Sequence, residues 1–244
     1  MRGRLACLSI LVLAGGCGLV SYDSLAGSID GGLGQIDSAG EPNDAARTDA
    51  PPTEPLELTF GEDGVDGRVS GVTTDTALNG GLPDQPGGDG ASFTAEAVGP
   101  IHGLLRFDLS SVPTTATVIG AELEVWTNFS PSQGGTAQLF RISEEWEEAT
   151  ATWNQRSTGV AWTDAGGTTA GEAVASITTV NESFFESLEQ RLELPIGLVA
   201  DWVAEPASNN GLLFVPTSGY VGLLSSEAVL IENAPILHIR LAAE

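Results

Sequence analysis

Lysine is absent from this 244-residue chain: its nine basic residues are all arginine, they face 33 acidic residues, and the formal net charge is −24 at pH 7. Such a surface repels phosphate backbones and anionic head groups, which excludes nucleic acid as a partner. Cysteine is nearly absent too. With only Cys7 and Cys17 there is no disulfide framework, so the fold rests on an ordinary apolar core. Histidine occurs only at His102 and His238, at the edges of two alternating runs. A zinc site needs more ligands of the right kind nearby, so both read as ordinary strand residues. The longest apolar run, "LACLSILVLA", is well short of the roughly 20 residues that span a bilayer. No internal repeat, P-loop, Gly-x-Ser-x-Gly elbow or Gly-x-Gly-x-x-Gly turn is present.

What is present begins with a leader. Arg2 and Arg4 form a basic segment before that short apolar core, and "AGGC" closes it at Cys17. Small residues before a cysteine resemble the lipobox of bacterial lipoproteins, with Ala14 at the position usually held by leucine. The expectation is a signal peptide over 1–16 and a diacylglycerol on Cys17, tying the protein to a membrane in the cell envelope or outside the cell. An ordinary cleaved signal peptide and an uncleaved anchor remain the alternatives. Seven arginines then face the 33 acids in the mature chain. Residues 17–55, with "SAGEPNDAARTDAPPTEP", hold too little apolar surface to offset their ordering entropy and read as a disordered acidic tether.

From Leu56 to Glu244 the pattern changes to short alternating runs separated by Gly, Pro, Asn and Ser. "LELTF" (56–60), "HGLLRFDLS" (102–110), "AELEVWT" (121–127) and "AQLFRIS" (137–143) alternate apolar with polar residues. So do "RLEL" (191–194), "GLLFVP" (211–216) and "ILHIRL" (236–241). Period-2 patterning at this spacing predicts an all-β fold, an antiparallel β-sandwich of about eight to ten strands, jelly-roll-like in size. One short helix interrupts it: in "PIGLVADWVAEP" Ile196, Val199, Ala200 and Val203 recur at helical spacing between two prolines.

These pieces, in this order, resemble the DNRLRE family, also described as carbohydrate-binding module family 96. The resemblance covers about residues 60–242. It is carried by "LLRFDLSSVPTTATVIGAELEVW", "EEWEEATATWN", "IGLVADWV" followed by "NNGLLF", "LLSSEA" and "APILHIRL". It implies a β-sandwich from secreted and surface proteins that accompanies polysaccharide-degrading enzymes and binds polysaccharide without catalysis. The family's Asp-Thr-aromatic opening appears as Asp75 and Thr76 without the aromatic. Acidic glycans such as alginate, implied for some members, would need more cations than seven arginines supply.

The candidate residues follow from that expectation. Sandwiches hold glycans on aromatic faces with a few hydrogen-bonding groups, and Trp126, Trp162 and Tyr220 are the aromatics placed for it. Arg106 is a fourth candidate. Two residues from Asp108 on one strand, it reads first as half of a salt bridge beneath a loop and second as a contact to an acidic sugar. Asp84 and Asp89 in "DQPGGDG" have calcium-loop composition without the EF-hand spacing, so any calcium there is structural and no other cofactor is expected. "EEWEEATATWN" (144–154) crowds carboxylates around tryptophans, as a glycosidase would. Nothing in its spacing forces two carboxyls onto one sugar, so Trp146 and Trp153 read as core anchors, with the glutamates, Glu145 and Glu148 among them, on the solvated side or one of them receiving a backbone or arginine hydrogen bond. A monomer that binds polysaccharide and catalyses nothing is expected. The alternatives are an adhesion module for protein partners and, last, a polysaccharide-degrading enzyme.

Overall fold

The structure is a computed structural model, and it describes residues 54–62, 69–70, 73–88, 90–128, 130, 132–180 and 187–243. The leader, Cys17, the tether up to residue 53, and Asp89 lie outside the described residues. All the described residues belong to one unit, Ala50–Glu244.

In chain order the first strands are β1 (Leu56–Gly61), β2 (Val69–Ser70), β3 (Thr73–Asn79), β4 (Ser92–Glu96) and β5 (Ile101–Phe107). Next come β6 (Val118–Trp126), β7 (Gly134–Ile142), β8 (Gln155–Ser157), β9 (Val160–Ala161) and β10 (Thr169–Thr179). β11 (Glu189–Glu193), helix α1 (Ile196–Ala204), β12 (Leu212–Leu224) and β13 (Ile236–Leu241) complete the order. The first sheet runs β11-β6-β13-β1-β2 and the second β10-β7-β12-β4-β5-β3, with β8 and β9 as a separate hairpin. All pairings are antiparallel except that of β1 with β2. The expected all-β antiparallel sandwich with one short helix is therefore the observed fold.

Alternation explains the core. Leu123 and Val125 of β6, Leu237 and Ile239 of β13, Leu105 and Phe107 of β5, and Phe214 of β12 point into the space between the sheets. Each buried side chain of this size contributes about 1.5–3 kcal/mol by leaving water. Phe93 meets Phe214 edge to face, with centroids 5.5 Å apart. Gly103 on the neighbouring strand makes room, since a Cβ there would lie 2.7 Å from the Phe93 ring. Helix α1 closes this core with Leu198, Val199, Trp202 and Val203. That corrects the phase read from the sequence: Ile196 is 47 % exposed, because the buried stripe is centred on Trp202 rather than on Ile196 and Ala200.

A second apolar cluster covers the outer face of the second sheet. The segment 143–168 lies over Leu78, Leu104, Ile142 and Leu213 and buries Trp146 and Trp162 against them. Each indole N–H finds a carbonyl, Trp146 Nε1 at Asn210 O (2.8 Å) and Trp162 Nε1 at Thr152 O (2.9 Å). Trp153 packs against the same cluster while remaining half-buried, its ring 4.7 Å from the His102 ring. Six strands were not anticipated: the longer β3, β4 and β10, and the two- or three-residue β2, β8 and β9. β3 ("TTDTALN") and β10 ("TAGEAVASITT") carry small and hydroxyl side chains with little apolar alternation, and tertiary pairing holds them in place. β12 also continues past Pro216, with its register shifting between Pro216 and Ser218.

Candidate functional site

The two sheets differ in what lies outside them. Part of the second sheet is roofed by the tryptophan-bearing segment, while a groove of about 430 Å³ runs over the outer face of the first. On β6 the residues alternating with Leu123 and Val125 are Gly120, Glu122, Glu124 and Trp126, so these point outward. Strand register sets their neighbours. Trp126 lies opposite Glu189, Glu124 between Arg191 and Ile236, and Glu122 between Glu193 and His238. Arg240 stands opposite both Gly120 and Glu57.

Hydrogen bonds tie this face together. Arg191 donates from Nη1 to Glu122 Oε1 (2.7 Å), from Nη2 to Glu124 Oε2 (2.6 Å) and from Nε to Glu189. Glu124, 6 % exposed, also accepts from Trp126 Nε1 (3.1 Å) and lies 3.1 Å from His238 Nε2. Its carboxylate thus joins three strands and fixes the half-buried Trp126 ring. The hydrogen bonds to Glu189 and then Glu122 hold the Arg191 guanidinium firmly protonated. Arg240 lies across Gly120, where a Cβ would come 3.2 Å from its Nη2. The result is a groove lined by carboxylates, the guanidiniums of Arg191 and Arg240 and the His238 imidazole, with the oriented Trp126 indole on the same sheet face outside its lining. Such a surface can hydrogen-bond to vicinal hydroxyls and present an aromatic to a sugar ring.

The residues expected from the sequence do not meet at one place. Trp126 lies on the outer face of the first sheet, tied to Glu124 beside the groove, and is not among the groove's lining residues. Trp162 is a correction: at 5 % exposure, packed under its segment and hydrogen-bonded to Thr152, its ring offers no face to a ligand. Tyr220 lies on the second sheet, where its hydroxyl accepts from Asn128 Nδ2 (3.3 Å) and sits 3.4 Å from Thr94 Oγ1. Arg106 is also on the second sheet, its guanidinium 5.0 Å above the Trp146 ring and its Nη1 3.4 Å from Trp146 O. Burial lowers its pKa, against the nearby carboxylates of Glu145, Glu148 and Asp108. The expected Arg106–Asp108 ion pair does not form: Asp108 instead accepts from Ser110 N at 2.8 Å, closing a turn. Asp84 accepts from Asn154 Nδ2 (2.8 Å), and no three His, Cys, Asp or Glu residues among those described are grouped to hold a metal.

Glu148 is a glutamate of its stretch that receives a backbone hydrogen bond, the second of the two expectations. It is half-buried and accepts the Asp75 backbone N–H at 2.8 Å, satisfying a donor on edge strand β3. His102 is structural: its Nδ1 donates to Gly166 O (2.7 Å), and burial lowers its pKa. Sequence reasoning missed Glu124, Arg191 and His238. The available signal was that the polar positions of β6, β11 and β13 carry both charge signs in one phase, but the lateral order of strands was not visible.

Residues 91–183 match the model of carbohydrate-binding module family 96. The match runs from β4 through β10, including β6 with Trp126 and the whole tryptophan-bearing segment, and leaves β11 and β13 outside it. Families of carbohydrate-binding modules are non-catalytic in general. No match is found among the curated proteins.

Proposed function

We propose that this chain, from the family match over residues 91–183, is a non-catalytic module that binds polysaccharide along the outer groove of the first sheet. The observation that carries the reading is the Trp126–Glu124–Arg191–His238 network. It presents a half-exposed aromatic on the same sheet face as a groove lined by Glu122, Arg191 and His238, whose floor is rigid sheet. Sites built on strands hold their side chains more tightly than sites on loops, which lowers the entropy lost on binding. A module of this kind works at the cell surface or outside the cell. The basic leader, the short apolar core and "AGGC" support a lipid on Cys17, and the acidic tether would let the domain reach its glycan from the membrane.

The test is retention of the full chain on a panel of insoluble neutral, amino and acidic polysaccharides. Wild type should be retained on at least one of them, and Trp126→Ala should elute with loss of retention while Tyr220→Ala binds as wild type does. No retention on any member, or equal retention of Trp126→Ala, would overturn the reading. Release of reducing sugar from the retained glycan would replace it with an enzymatic one.

A further inference from the structure

We propose that the Asp75–Ser226 hydrogen bond is a pH-sensitive clasp. It holds the connection between β12 and β13 shut while Asp75 keeps its proton and releases that connection locally once the proton is lost.

The clasp stands on where Asp75 points and on what lies against it. Asp75 is paired with Leu105 of β5, whose side chain belongs to the core between the sheets. Residues directly opposite share a face, so this carboxyl of an edge strand turns inward, 2 % exposed. The connection 225–235 is tied down beside it. Ser226 N donates to Asp75 Oδ2 (2.7 Å), Ser225 Oγ to Gly90 O (2.7 Å) and Ser225 N to Ala91 O (3.3 Å). Past these ties the connection buries little. Between Ser226 and Ala234 only Ala228 is buried, while Val229 is 93 % exposed and Leu230 49 %. A segment with so few buried apolar groups opens far more readily than the sheets it joins.

The surrounding charges make the Asp75 proton matter. Glu227 of the connection and Glu148 of the segment 143–168 both act on Asp75, and both are negative. Among the described residues no cation offsets them. Arg106 is paired with Thr74 and stands on the other face of the sheet, over Trp146. The one charged residue of β4, Glu96, is level with Asn79 at the far end of β3. β12 carries no charged residue, and the first sheet turns apolar side chains toward the core. Ionisation would strengthen the bond from Ser226 N, yet burial and the two like charges outweigh it and raise the pKa from 3.8 to about 7. Lifting the connection lets water reach the carboxylate without parting either sheet. The open form therefore gains on the closed one as pH rises from 3.8 to about 7, and gains no more above that.

Amide hydrogen exchange of the isotope-labelled full chain, followed by NMR from pH 5 to pH 8, reads the clasp at the Ser226 N–H. Its protection factor, corrected for the intrinsic exchange rate, should fall about tenfold per pH unit up to about pH 7 and then level off. At every pH it should lie at least about tenfold below that of Ile239, which sits mid-strand on β13 between β6 and β1 and opens only with the sheet. Asp75→Asn should hold the Ser226 protection constant across the range. Glu227→Gln, at an exposed position, should bring the levelling point to lower pH by removing one like charge. Equal protection of Ser226 and Ile239 would overturn the clasp, since the charge would then be relieved only by global unfolding. So would a Ser226 protection that stays constant in wild type, or one that falls alike in wild type and Asp75→Asn.

Discussion

Asp75→Asn should stabilise this protein at neutral and higher pH and lose that advantage in acid. Asp75 sits on β3 with 2 % of its surface exposed, and its Oδ2 accepts the Ser226 N–H at 2.7 Å. Burial is the largest influence on it, and with the nearby charges of Glu227 and Glu148 it outweighs the Ser226 hydrogen bonds, raising the pKa from 3.8 to about 7. Between those two values the folded protein keeps a proton that the unfolded chain has released. Stability from this group is therefore full below pH 3.8, falls as pH rises, and is fully lost above about pH 7. About three pH units at about 1.36 kcal/mol each make the penalty roughly 4 kcal/mol at pH 8. Asparagine is neutral at every pH and can still accept from Ser226 through its amide oxygen. Urea unfolding of wild type and Asp75→Asn, repeated from pH 4 to pH 8, isolates the effect, because carboxylates common to both chains cancel in the difference. A constant offset between the two would report only the new amide's hydrogen bonding, about 1–3 kcal/mol. A difference that does not grow with pH would refute the reasoning.

Trp146→Ala should cost about 3–5 kcal/mol in chemical denaturation, since it empties the second apolar cluster and strips Arg106 of the ring beneath it; a loss under about 1 kcal/mol would mean that the segment 143–168 is not held by this anchor. Trp126→Ala should weaken binding to the retained glycan at least about tenfold with little change in the melting curve, because the ring is only half-buried. Cys17→Ser should abolish incorporation of labelled palmitate and detergent partitioning in a bacterial host, and unchanged behaviour would remove the lipid anchor.

Much of the sandwich was legible because alternation is a local property. Leu123 and Val125 against Glu122, Glu124 and Trp126 can be read without knowing any partner, and the same holds for β13 and β5. Where side chains were small, as in β3 and β10, the pattern carried no phase, and only the neighbouring strands made those residues extended. The tryptophans show the limit more sharply. Trp146 and Trp162 are both buried and Trp126 is not, yet each sits among polar residues in the sequence.

By itself the sequence determined the class of fold, the excess of negative charge, the leader-and-tether layout as an expectation, and the direction in which the side chains of each well-patterned strand point. These depend on composition and on neighbours two residues apart. Which strands lie side by side was decided only in three dimensions. β11, β6 and β13 come from separate parts of the chain, and their lateral order alone brings Arg191 and His238 onto Glu124. The same holds for the covering of one sheet by residues 143–168, which took Trp162 out of reach, while Trp126 stays half-buried on the other sheet. Strand pairing is a long-range choice set by packing and register, and the residues of one strand carry little record of which strand will lie beside them.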